Sequence, residues 1–256
     1  MTALRRAGVH ADLSAVTAEQ PHPLVFATVS GAHLYGFPSQ DSDVDLRGAH
    51  LLPAADLVGL REPEETRTAM RDADGTELDL VTHDLRKFVR LLLLRRNGYV
   101  LEQLLSPLVV RTGETHRELA SHAPGVLTSH HAHHYRGFAT TQWRLFGRTR
   151  ELKPLLYTYR ALLTGIHLLR SGRVEAHLPT LHGEVAEAPE RLPELIAAKE
   201  AAEHGAVEAG LDTEAVRSEV EHLHTVLDTA QAVTRLPGQP SAGAALHDLL
   251  VRVRLG

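Results

Sequence analysis

Ser30-Gly31-Ala32-His33-Leu34-Tyr35-Gly36-Phe37-Pro38-Ser39-Gln40-Asp41-Ser42-Asp43-Val44-Asp45-Leu46-Arg47-Gly48 is the stretch whose reading decides the fold. Just before it, Leu24-Val25-Phe26-Ala27-Thr28-Val29 has the apolar, β-branched character of a buried strand. Gly31 and Gly36 permit a tight turn and a close approach of backbone to a bound group. Asp43-Val44-Asp45-Leu46 then alternates acid with hydrophobe. On a strand that alternation puts both carboxylates on one face and turns Val44 and Leu46 into the core. Two carboxylates so close repel each other unless a cation lies between them. Oxygen ligands of this kind suit Mg²⁺ or Mn²⁺, which bind through a few carboxylates and the phosphates of a substrate.

Downstream, Thr76 to Thr82 reads as a third strand, with Glu77 and Asp79 on one face and Leu78 and Leu80 on the other. Between the acidic strand and this one, residues 57–74 read as a polar excursion closed by the turn Asp72-Ala73-Asp74-Gly75. Asp84 is the expected N-cap of a helix in which Leu85, Phe88, Val89, Leu92 and Leu93 recur at helical spacing. Arg86, Lys87, Arg90, Arg95 and Arg96 flank that stripe, and Asn97 or Gly98 is expected as its left-handed cap. A short helix over 99–105 and an extended piece over 107–110 follow. Beyond residue 115 the pattern is helical, over 115–122, 129–147, 153–171, 190–209, 213–234 and 242–253, with Pro and Gly at the breaks. The expected organisation is α+β: a catalytic core of short mixed sheet and helices over 1–115, then an all-helical domain over 116–256 that closes the cleft.

Composition narrows the function classes. At 256 residues the chain can bury a real core, and 43% apolar with 23% charged residues is ordinary for a globular protein. No apolar run reaches transmembrane length, and Met1-Thr2-Ala3-Leu4-Arg5-Arg6 lacks the apolar centre of a signal peptide, so no membrane association and a cytoplasmic location are expected. The absence of cysteine removes disulfides, thiolate metal sites and cysteine nucleophiles. A net charge of −5 argues against electrostatic coating of long nucleic acid, though not against a local basic groove. The cations are 24 Arg and 3 Lys. Arg is the better bidentate phosphate partner, but this bias also fits a GC-rich genome, which is the reading taken.

Gly31-Ala32, then ten intervening residues, then Asp43-Val44-Asp45-Leu46 resembles the signature of the DNA polymerase β-type nucleotidyltransferase superfamily. Within it, Tyr35-Gly36 to Asp43, Asp45-Leu46-Arg47-Gly48, Leu78-Asp79-Leu80 before Leu85-Arg86-Lys87-Phe88, and Asn97-Gly98-Tyr99-Val100-Leu101-Glu102 resemble the RNA-repair-linked, RlaP-like family. The late region from Leu236-Pro237 to Leu249-Leu250 is similar too. The resemblance implies a polymerase β-like core and a two-metal phosphoryl transfer. Asp43 and Asp45 would hold two Mg²⁺ or Mn²⁺ ions, and Asp79 would complete the site and help to deprotonate the attacking hydroxyl. The ions, roughly 3.5–4 Å apart, clamp the attacking and leaving oxygens at the α-phosphate, with pyrophosphate leaving. Backbone N–H groups around Gly31 and Ala32 would cradle the β- and γ-phosphates of the NTP.

One residue departs from the superfamily pattern, which usually has Gly-Ser where this chain has Gly31-Ala32. Ser30 or Ser42 is the expected replacement for that hydroxyl, or triphosphate binding is weakened by ~1.5–3 kcal/mol. Glu77 is the alternative third acid to Asp79, and Asp41 is expected to shape the turn. His33, inside the turn, has two readings, a nucleotide contact and loop packing. Lys153, Tyr157 and Arg160 share a helix face; in related enzymes such a helix presents Lys and Tyr to the nucleotide, which implies nucleotide-binding roles for Lys153 and Tyr157, against the plain reading of a solvated face. His130-His131-Ala132-His133-His134 lacks the acid support of a zinc helix and is expected to be a surface-lying helix start. Arg136, Arg144 and Arg148 follow on the same helix as possible groove cations, with solvated Arg the commoner case. The expected activity is transfer of an NMP from an NTP to an acceptor hydroxyl, with an RNA 3′ end, damaged tRNA among them, as the implied acceptor. The alternatives are modification of a small molecule or a protein side chain, as in antibiotic-modifying or toxin–antitoxin enzymes, and a catalytically inactive nucleotide-binding regulator. Oligomeric state is not legible.

Overall fold

A computed structural model describes residues 2–39, 42–60, 62–73, 75–201 and 211–256. Asp41, expected to shape the turn, lies outside the described residues, as do Asp74 of the expected turn and the last part of the expected helix over 190–209. In chain order, helices α1 (Ala3–Arg6) and α2 (Ser14–Ala18) precede β1 (Leu24–Val29), α3 (Gly31–Tyr35), β2 (Val44–His50) and α4 (Ala54–Val58). Then come β3 (Thr66–Ala73), β4 (Thr76–Asp84), α5 (Leu85–Leu93), α6 (Gly98–Leu105), β5 (Val109–Arg111) and α7 (Glu114–Ser121). A 3₁₀ turn (Ala123–Gly125) leads to α8 (His131–Thr149), α9 (Leu152–Ser171), α10 (Leu178–Glu184), α11 (Leu192–Ala201), α12 (Thr213–Val233) and α13 (Gly243–Leu255). Two compact units result. One comprises Met1–Leu34, Asp43–Val126 and Gln239–Gly256, the other Tyr35–Ser42 and Leu127–Gly238.

The first unit is built on a five-stranded mixed sheet in the order β3-β4-β2-β1-β5. Among the described residues only β2 and β4 pair in parallel; the chain between them, carrying α4 and β3, provides the crossover that parallel neighbours require. Val44 and Leu46 of β2 and Leu78 and Leu80 of β4 are buried, as the alternation predicts. They share the core with Leu85, Phe88, Val89 and Leu92 of α5, and Phe88 meets Phe26 edge to face at 5.2 Å. Gly48 lets β1 approach β2, since a Cβ there would stand 2.1 Å from the carbonyl oxygen of Phe26. Asp84 caps α5 as expected, accepting from the N–H of Arg86 at 2.9 Å. After α12, the C-terminal helix α13 returns to this unit: Arg254 pairs with Asp84 at 2.5 Å and Arg252 with Glu118.

Three local expectations need correction. Residues 66–73, within the expected polar excursion, form β3, which pairs antiparallel with β4 from Thr66↔His83 to Ala73↔Thr76. An edge strand needs only one partner and little burial, so its polar residues hide the strand pattern. Asn97 and Gly98 are not a left-handed cap. Helix α5 ends at Leu93, Leu94 N–H donates back to the carbonyls of Arg90 and Leu91, and Asn97 (φ −116°) is the N-cap residue of α6. The turn at Gly31 and Gly36 does use positive φ at both glycines, but the residues between fold as α3. In addition, residues 178–184 form α10, which the sequence pattern did not reveal.

Among the described residues, the regular elements assigned to the second unit are all helices. Its core is α9, whose residues are buried almost from end to end, from Leu152 to Leu169. A helix apolar on every side requires partners all round, and α8, α10, α11 and α12 pack against it. The phenol of Tyr159 donates to Glu219 of α12 at 2.6 Å, and Arg160, 3% exposed, stacks over the Tyr35 ring at 3.8 Å.

Candidate active site

Strand β2 sets out the polar face of the first unit with a period of two. Asp43, exposed, immediately precedes it; Asp45 and Arg47 follow at alternate positions while Val44, Leu46 and Gly48 are buried. Parallel register places Asp45 beside Asp79 of β4. Their side chains retain 30% and 31% exposure, so both carboxylates are reachable from solvent, whereas Arg47 retains 12%. The Arg47 guanidinium joins them, donating from Nη2 to Asp45 Oδ1 at 2.5 Å and to Asp79 Oδ2 at 2.9 Å. Its Nη1 donates to the backbone carbonyls of Leu46 (2.8 Å) and Asp79 (2.7 Å), and its Nε to Tyr99 Oη at 3.1 Å. Burial works against the guanidinium's charge, but Tyr99, Asp45 and Asp79 outweigh it and hold Arg47 above its ordinary value.

Gly31 abuts Asp45. Its φ is +64°, and a Cβ there would fall 1.9 Å from Asp45 Oδ2, so the carboxylate sits in a space that only glycine leaves open. Ser30 N–H donates to the Asp45 carbonyl at 2.8 Å, tying the start of α3 to β2. The Ser30 hydroxyl is buried with no hydrogen-bond partner among the described residues. Ala32 is buried beside it. His33 is buried too, with Nδ1 2.8 Å from the carbonyl oxygen of Ala7. That carbonyl can only accept, so Nδ1 carries the proton. Nε2 is buried without a partner among the described residues.

The remaining expected nucleotide residues belong to the second unit. Ser42 Oγ accepts from the Ser39 N–H at 2.9 Å and lies 3.0 Å from Ser39 Oγ, which in turn accepts from Lys199 at 2.9 Å. Lys153 is exposed on α9, and Tyr157 is half-buried, edge-on to Tyr35 and Phe37 at 5.5 Å. The histidine run is only partly superficial. His131 is fully buried, its Nδ1 accepts from the Thr128 N–H at 3.1 Å, and burial pushes it down to about 4. Arg136 of the same helix pairs with Asp228, while Arg86 and Arg90 of α5 pair with Glu65.

Sequence reading assigned no role to Arg47 or Tyr99, although both fall within the motifs quoted. The available signal was position: Arg47 follows Asp45 by two on a strand and must share its face. What the sequence could not supply was the β2–β4 register, which makes Asp79 the second partner.

As to a divalent cation, no three His, Cys, Asp or Glu side chains converge tightly enough to hold one among the described residues. The chemistry of the donor set nonetheless fits: hard carboxylate oxygens from adjacent strands, with Asp43 two residues upstream of Asp45, beside a glycine whose missing side chain leaves room for the Asp45 carboxylate.

Among the described residues no helix is long and apolar enough to cross a membrane. The uncharacterized protein MJ0002 of Methanocaldococcus jannaschii is 31% identical over 154 residues, which is 59% of this chain and 63% of that protein, under two thirds of its length. The uncharacterized protein YcgL of Bacillus subtilis is 27% identical over 212 residues, covering 78% of this chain and 79% of its own. The crystal structure of a nucleotidyltransferase-like protein from Exiguobacterium sibiricum aligns over 98% of this chain and 78% of its own, at 15% identity and a TM-score of 0.33. Residues 6–252 match RlaP, the RNA repair pathway DNA polymerase beta family. With that match spanning nearly its whole length, the chain is a member of the RlaP family.

Proposed function

We propose that the protein transfers a nucleoside monophosphate from an NTP to an acceptor hydroxyl, with an RNA 3′ end as the acceptor class. The observation that carries this reading is the seating of Asp45 against Gly31, at the start of a helix, with Asp79 beside it on the neighbouring strand. The first N–H groups of a helix have no intrahelical acceptor, so those of Gly31 and Ala32 are the natural donors to the NTP phosphates. The Ser30 hydroxyl, buried with no partner among the described residues, is the candidate replacement for the hydroxyl that Ala32 lacks. Asp43, Asp45 and Asp79 would hold Mg²⁺ or Mn²⁺, which when bound neutralises phosphate charge and makes the attacking hydroxyl more acidic.

In the reaction, the acceptor oxygen forms a bond to the α-phosphorus as the bond from that phosphorus to the α,β-bridging oxygen breaks, and pyrophosphate departs. The acceptor's proton passes to the Asp79 carboxylate. The protein's contribution is position and fixed charge. Lys153 and Tyr157, the expected nucleotide contacts of the second unit, are assigned to the same reading.

Thermal unfolding with and without NTP and Mn²⁺ tests this reading. The wild type is expected to gain several degrees in Tm only when both are present, and Asp43→Ala and Asp45→Ala are expected to lose that gain. An undiminished gain in both variants contradicts the assignment of the carboxylates and favours a nucleotide-binding regulator.

A further inference from the structure

Arg47 has five N–H donors, and all five are used. Three go to groups other than the acidic pair: the Leu46 carbonyl, the Asp79 carbonyl and the Tyr99 hydroxyl. The guanidinium is therefore anchored in the sheet by backbone and phenol, independently of the carboxylates it joins. Only Nη2 faces them, taking one oxygen from each. Asp45 Oδ1 takes the Nη2 bond, and Oδ2 is the oxygen nearest Gly31. Arg47 thus selects the orientation in which the acidic pair meets the expected phosphate position.

The same placement has an electrostatic consequence. A divalent cation entering at Asp45 and Asp79 meets a fixed, permanently protonated group already bonded to one oxygen of each. The four negative charges of a bound triphosphate offset that opposition; a free cation has no such help. We propose that Arg47 is a positioning residue and resident counter-charge, which holds Asp45 and Asp79 assembled without metal and makes strong divalent-cation binding conditional on nucleotide. This rests on the metal-dependent reading above.

The test is Mn²⁺ binding, followed by the electron paramagnetic resonance signal of free Mn²⁺, with and without an α,β-methylene NTP analogue. Wild type is expected to bind Mn²⁺ weakly alone and more tightly with the analogue. Arg47→Gln is expected to bind Mn²⁺ alone about tenfold more tightly than wild type, and to transfer NMP more slowly at saturating metal because the carboxylates are no longer oriented. Arg47→Lys keeps the charge and loses the fork, so its Mn²⁺ affinity is expected to stay near wild type while kcat falls. A purely structural role for Arg47 would lower stability without tightening metal binding. A folded Arg47→Gln variant with unchanged or weaker Mn²⁺ affinity overturns the proposal. Should that variant not fold, the ¹⁵N resonance of Arg47 Nε in the wild type decides: a shift on titration with Mg²⁺ and analogue supports the proposal, and no shift at saturation overturns it. If wild type binds no Mn²⁺ even with the analogue, the metal-dependent reading itself fails and this proposal falls with it.

Discussion

At the scale of single residues, the site depends on contacts with no slack. Gly31 combines a left-handed φ with a carboxylate oxygen where a Cβ would lie. Gly31→Ala is expected to cost about 1–3 kcal/mol in urea unfolding and to displace Asp45, so NMP transfer should fall more than stability alone accounts for. Unfolding and transfer at wild-type values would contradict this account of the glycine. Asp84 is fully buried and paired with Arg254, itself 9% exposed. Burial alone would raise the Asp84 carboxyl; Arg254 and the N–H groups of Leu52 and Arg86 reverse that and hold it below its usual range. Removing one partner of a buried pair leaves the other uncompensated, so Arg254→Ala is expected to cost about 3–5 kcal/mol. Because the folded-state value is depressed, the pair's contribution is present above the unfolded value near 4 and is lost as pH falls below it. Acid unfolding of the wild type should therefore show a step that the variant lacks. The acids themselves were legible: Asp43 and Asp45 from a period of two, Asp79 from a second alternation. The partners of Arg47 were not, because they depend on which strands become neighbours.

At the scale of elements, β2 and β4 carry both the site and a pH sensitivity. His50 ends β2, 1% exposed, with Nδ1 2.9 Å from the Thr82 hydroxyl of β4. Burial pushes it down to about 4, with attraction to Asp84 only partly offsetting this and with His22, Arg67 and His83 adding to it. Between an unfolded value near 6.5 and that folded value, protons bind the unfolded chain first, so stability falls with falling pH, by up to about 3 kcal/mol from this residue. The urea midpoint should thus drop between pH 7 and pH 4.5, and His50→Gln should flatten that drop. An equally steep drop in the variant would assign the sensitivity elsewhere. Elements with strong periodicity, such as β1, α5 and α9, could be read from sequence within a few residues. Strand β3 could not, because Thr66-Arg67-Thr68-Ala69-Met70-Arg71 answers to a single hydrogen-bonded neighbour rather than to a buried face. Asn97 misled for a related reason: a residue that favours helix ends does not reveal which helix it ends.

At the scale of the molecule, the chain's order and its compact units differ. Residues 239–256 belong with the sheet, where α13 packs against α5 and α7. The sequence shows an amphipathic terminal helix, but nothing local in it names the partner, which is an acid 170 residues earlier. Deleting residues 239–256 is expected to raise amide exchange in β4 and α5 while α9 keeps its protection. Loss of protection in α9 to the same degree would show that the two units do not unfold separately.

The central claim is chemical, that Asp43, Asp45 and Asp79 serve transfer of an NMP. Its most direct measurement is incubation of the protein with each α-³²P-labelled NTP, Mn²⁺ and a mixture of RNA, protein and small-molecule acceptors, beside the Asp43→Ala/Asp45→Ala variant. The account predicts label in RNA, released by nuclease, with the wild type alone. Label in protein or a small molecule would keep the chemistry and change the acceptor class. No label in any acceptor, from a protein that binds NTP, would contradict the claim.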